Sequence, residues 1–90
     1  MNELFQALGV HLQAKRVKAG LSQGNVAKQL GYSSPQFVSN FERGLCAPPL
    51  SKLKLLVRLY DMNGEEVLKL MLKEQERHIR KALGVKGKRR

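Results

Sequence analysis

Between Leu21 and Gly44 the chain is punctuated so closely that little fits except two short helices around a tight turn. Ser22 is a good N-cap, Val26, Ala27 and Leu30 form a short apolar face, and Gly31 is placed to stop the helix with a positive φ. Ser34 is the N-cap candidate for the next helix, with Pro35 at the first helical position, where its missing N–H has no helical partner anyway. Val38 and Phe41 turn that helix inward, Arg43 is near its end and Gly44 terminates it. The turn also allows Ser33 to cap, which leaves the register of Pro35 and Gln36 open by one place.

The rest of the chain has the same helical grain. No period-two run of β-branched residues appears, whereas apolar residues recur at spacings of three and four almost throughout. Asn2 is a cap for a first helix over roughly residues 3–19, with Leu4 or Phe5, Leu8, Leu12, Arg16 and Ala19 along one stripe and Gly20 at its end. Pro48 and Pro49 interrupt helix, and Leu50, Leu53, Leu56, Val57 and Tyr60 then mark one face of a fourth. Asn63 and Glu66 make an N-x-x-E start, akin to a capping box, for a fifth helix over residues 64–83. Val67, Leu68 and Met71 suffice to close a core, yet Leu72, Gln75, Ile79 and Ala82 continue at alternating three and four spacing. Those residues either pack on a second subunit or extend as a polar, frayed end. The expectation is an all-α, compact five-helix domain over residues 1–71, an extension of the C-terminal helix over 72–83 and a basic flexible tail over 84–90.

Ninety residues bury only about 60 to 65 per cent of the unfolded surface, which favours a binding domain over an enzyme with a deep site. No stretch approaches the roughly 20 apolar residues of a membrane span, and Met1-Asn-Glu-Leu-Phe5 does not resemble a secretory signal, so a cytoplasmic protein is expected. Cys46 is the single cysteine, which excludes an intrachain disulfide or a Cys-based zinc site. His11 and His78 lack metal-ligand spacing, so neither metal nor cofactor is expected. The net charge is +10, and seven of the 17 basic residues follow Glu76 with no acidic residue after it. Residues 1–76 thus hold ten basic against all seven acidic residues, a balance of +3. The basic end is either a solubilising tail or a source of nonspecific phosphate attraction.

Leu21-Ser22-Gln23, Ala27, Leu30-Gly31, Ser34, Val38-Ser39, Phe41-Glu42-Arg43-Gly44 and Pro48-Pro49-Leu50 occur in the order seen in the lambda-repressor-like, or XRE, helix-turn-helix family, which residues 8–71 resemble. One departure is a turn from Gly31 to Val38 that is one residue longer than in many members. The resemblance implies double-stranded DNA as partner, with the second helix of the unit in the major groove and the first across the backbone. It also implies that Gln23 contacts a phosphate and supports Gln36, and that Glu42 pairs with Arg16 beneath the DNA-facing surface.

On such a helix Gln36 and Asn40 lie four residues apart on one face, and their amides suit adenine N6 and N7. They are the first candidates for base contact, followed by Phe37, Ser39 and Pro35. Phe37 either touches a thymine methyl or packs under the turn. Gln23, Lys28, Arg43, Ser34 and Lys52 are candidates for phosphate contact, which sets register without reading sequence. Gly24, a weak helix former at the start of a helix, either costs stability or permits close approach to the DNA backbone. Leu72, Gln75, Ile79 and Ala82 are the dimerisation candidates. The functional expectation is a small transcriptional regulator bound as a homodimer. The alternatives are an antitoxin that holds a protein partner and its own promoter, and a weakly specific nucleoid protein.

Overall fold

A computed structural model describes residues 5–85. It has five helices: α1 (Gln6–Lys18), α2 (Gln23–Leu30), α3 (Gln36–Glu42), α4 (Leu50–Leu59) and α5 (Gly64–Leu83), with no strand among the described residues. The expected Asn2 cap lies outside the described residues, as does Leu4. At the start of α1, Phe5 occupies the N-cap position without a side-chain hydrogen bond.

Local chemistry sets most of the other ends. Ser22 Oγ accepts the Asn25 N–H at 3.0 Å, and Gly31 closes α2 at φ 86°. Asn63 Oδ1 accepts the N–H groups of Glu65 and Glu66 at 2.8 and 3.3 Å, with both carboxylates in the first turn of α5, where the helix dipole favours them. The start of α3 differs from expectation by one residue. Pro35 is the N-cap rather than the first helical residue, and Ser34, one place earlier, still accepts the Gln36 N–H through Oγ at 3.3 Å.

The core comprises Leu8 and Leu12 of α1, Val26, Ala27 and Leu30 of α2, Val38 and Phe41 of α3, Leu53 and Leu56 of α4, and Tyr60, Met62 and Val67. Three expected positions fall outside it. Leu50, the first residue of α4, is 74% exposed, while Pro48 just before it is buried. Leu68 is 49% exposed because the buried seam of α5 runs through Val67, Leu70, Met71 and Glu74, which puts Leu68 to one side. Ala19 caps α1 and is exposed.

α1 packs against α3 and α5, and α2 against α3. The α1–α3 crossing is close enough to exclude side chains at two points. A Cβ on Gly9 would lie 2.5 Å from the Glu42 carbonyl oxygen and 2.6 Å from that of Phe41. A Cβ on Gly44, at φ 78°, would lie 2.8 Å from Gln6 Cα. These contacts fix the tilt of α3 against the first helix, and so the direction its outer face presents.

Candidate nucleic-acid interface

Beneath α3 lies a compact ionic cluster. Arg16 Nε donates to Glu42 Oε2 at 2.6 Å and Arg16 Nη2 to Glu42 Oε1 at 3.2 Å, with the Glu42 side chain 4% exposed and that of Arg16 12%. Arg16 Nη1 also donates to the Leu21 carbonyl at 2.8 Å, so one guanidinium joins α1, the loop into α2 and α3. The hydrogen bond to Glu42 raises the Arg16 pKa above its ordinary value, outweighing the opposite pull of burial. A bidentate fork of this kind supplies the geometry that a buried carboxylate needs.

Gln23 completes the cluster. Its Nε2 donates to Glu42 Oε1 at 2.8 Å. Among the described residues its amide is joined to Glu42 rather than to Gln36, adding a second donor to the Oε1 that also accepts from Arg16.

The outer face of α3 carries Gln36, Phe37, Ser39, Asn40 and Arg43, and Val38, Phe41 and Glu42 are buried on the other side. Gln36 Nε2 donates to Asn40 Oδ1 at 2.9 Å, and Arg43 Nη1 approaches the same oxygen at 3.5 Å. Pro35, Ser34 and Ser33 are exposed at the head of the helix. Phe37 packs against the turn, its ring stacked on Tyr32 at 4.8 Å between centroids, and the residue stays 50% exposed. Phe41 completes the aromatic group at 6.3 Å from Tyr32 and 6.4 Å from Phe37.

Among the phosphate candidates, Lys28 and Arg43 are exposed. Lys52 plays a structural part, since its Nζ donates to the Leu30 carbonyl at 2.8 Å, capping α2, and sits 5.5 Å above the Tyr32 ring. Gly24 faces open space, with nothing within 4 Å of an added Cβ. Tyr32 and the capping role of Lys52 were not legible in the sequence, because both depend on how the turn folds back over α4. Gly9 did carry a signal, being a glycine inside a helix beside the apolar stripe.

The second half of α5 forms a separate surface. Leu72, Gln75, Glu76, Ile79, Arg80, Leu83 and Val85 line a shallow groove of about 430 Å³. Leu83 and Val85 close it, while the expected Ala82 is exposed nearby. Glu74, on the opposite and buried side, accepts from Arg77 Nη2 at 3.0 Å. Arg80 pairs with Glu76 at 2.8 Å. Gly84 caps the helix at φ 75°; of the expected basic tail, residues 86–90 lie outside the described residues. Among the described residues no cluster of three His, Cys, Asp or Glu side chains can hold a metal, and no helix is long and apolar enough to cross a membrane.

No curated protein matches the chain significantly. A family model described as a helix-turn-helix domain matches residues 7–70, which takes in α1 to α4 and the core-packing start of α5. The chain belongs to the helix-turn-helix domain family, in keeping with an XRE-like DNA-binding protein.

Proposed function

We propose that the protein is a small transcriptional regulator that reads double-stranded DNA in the major groove with α3 and binds as a homodimer. The observation that carries this reading is the two-sided character of α3. One side is fixed to the body by Val38, Phe41 and the Arg16–Glu42 pair, and the other presents Gln36, Asn40 and Arg43. A rigidly seated helix with an amide-rich outer face suits base readout, and a net charge of +10 supplies phosphate attraction. Phe37, with its free face beside Gln36, suits a thymine methyl, and Ser39 and Pro35 flank the same surface. In this reading Ser34, Gln23, Lys28, Arg43 and Lys52 are the residues that meet phosphate. Chemistry of its own, a cofactor or a membrane has no place in this reading, which puts the protein in the cytoplasm with DNA.

The dimer reading rests on the apolar groove around Leu72, Ile79 and Leu83, which the single chain leaves uncovered. A two-fold dimer places two α3 helices on half-sites about one helical turn apart. Selection from a random DNA pool tests the whole reading. Enrichment of a two-part motif with that spacing is expected; a pool that stays flat would instead favour a weakly specific nucleoid protein. Co-purification of a stoichiometric protein partner on the α5 groove in place of a second copy would favour the antitoxin reading.

A further inference from the structure

We propose that Asn40 acts chiefly as a positioning residue for Gln36, so that the two amides read DNA as one hydrogen-bonded unit. This inference rests on the DNA-binding reading above, and it replaces the expectation that each amide grips its own adenine.

The number of donors and acceptors on each amide decides how the pair can meet a base. An amide side chain has one carbonyl oxygen with two lone pairs and one NH₂ with two protons. Asn40 Oδ1 accepts from Gln36 Nε2 at 2.9 Å, which uses one lone pair, and Arg43 Nη1 stands 3.5 Å from the same oxygen. A bidentate grip on adenine requires one amide to accept from N6 and donate to N7 at once. Asn40 is the less suited of the two while it holds Gln36, because its oxygen already accepts one hydrogen bond and has a guanidinium beside it. Gln36 can make this grip: one N–H goes to Asn40, leaving the other N–H and a free Oε1 for the adenine edge. Both Nδ2 donors of Asn40 remain, and they suit an acceptor such as guanine O6 or thymine O4.

The arrangement also lowers the entropic cost of binding. Gln36 is an exposed, rotamer-rich side chain near the start of α3, and its head is already fixed from below by a residue one turn along the same helix. Ordering it before DNA arrives removes part of the cost of immobilising it on the base. Arg43 Nη1 lies 3.5 Å from the same oxygen, so the three residues follow one another along the outer face.

The test uses the full chain and the site selected from a random DNA pool, with single-base variants of that site at fixed salt. Gln36→Ala first identifies the base pair whose adenine preference depends on Gln36. Asn40→Ala should then lower the adenine preference at that same base pair by at least about fivefold, the lower end of a bidentate contact. Asn40→Asp keeps the acceptor for Gln36 and loses only the Nδ2 donors. It should bind more weakly overall, through phosphate repulsion, yet retain the adenine preference at the Gln36 position. Asn40→Ala acting at a different base pair, or Asn40→Asp losing the preference as fully as Asn40→Ala, would overturn the proposal. If the unmutated protein has no preferred site, the DNA-readout reading itself fails, and this proposal with it. Gln36 is exposed, Asn40 is half-buried and neither belongs to the core, so nearly unchanged thermal melts are expected for all three variants.

Discussion

Glu42 is the residue on which the placement of α3 depends most. Its carboxylate is buried and receives hydrogen bonds from Arg16 on α1 and Gln23 on α2. Glu42→Ala leaves the Arg16 guanidinium largely buried without its partner, a loss of about 3–5 kcal/mol. For a domain of this size, that lowers the melting temperature by more than about 10 °C. An unshifted melt would show that the cluster does not hold the helices together. Tyr60, in the same core, has its pKa pushed up to about 12, chiefly by burial and then by the negative charge of Glu42, against a smaller opposite effect of Arg16. A folded pKa above the unfolded value of 10.0 means that the neutral phenol stabilises the fold fully below pH 10.0, and that this stability is lost as pH rises towards about 12. Denaturant midpoints measured across that window should fall less steeply for Tyr60→Phe than for the unmutated chain. Identical alkaline slopes would count against a buried phenol.

At the scale of the elements, the crossing of α1 and α3 is set by backbone contact. Helix propensity alone predicts that Gly9→Ala stabilises α1 by up to about 1 kcal/mol. The added Cβ would instead meet two backbone carbonyls of α3 at 2.5 and 2.6 Å, neither of which can move without shifting the helix. The net expectation is destabilisation by about 1–3 kcal/mol. Gly24→Ala is the control, since nothing lies near it; it should be neutral or stabilising by up to about 1 kcal/mol. Equal effects of the two substitutions in chemical denaturation would contradict the close crossing. The helices themselves were legible because caps, glycines and prolines act locally: Ser22, Gly31 and Asn63 do what their chemistry predicts. The first residue of α3 was not, because Ser33, Ser34 and Pro35 all permit a start and packing selects among them. Leu50 and Leu68 were misplaced for a related reason: periodicity gives an apolar stripe, but only the neighbouring helix decides which edge of the stripe is covered. The outer face of α3 was legible as a set of residues, whereas the bonds among Gln23, Glu42, Gln36 and Asn40 required the third dimension.

The whole molecule has two surfaces of different character. A body of four helices and the start of α5 seats α3, and the second half of α5 extends beyond that body, giving a longest dimension of 44 Å against a shortest of 20 Å. The protruding half carries exposed Leu72, Ile79 and Leu83. Sedimentation of the DNA-free protein at micromolar concentration is expected to give twice the 10.2 kDa chain mass, and Leu72→Asp with Ile79→Asp should return it to a single chain. A monomer before substitution would contradict a dimer built on α5. The central claim, that the outer face of α3 reads DNA sequence, is tested most directly by one ratio: affinity for the selected site over affinity for random DNA, at one salt concentration, with and without Gln36→Ala. Gln36→Ala should weaken the selected site by about 1–3 kcal/mol and leave random DNA almost untouched, so that the ratio collapses. Equal losses on both DNAs would show that α3 holds phosphate and reads nothing.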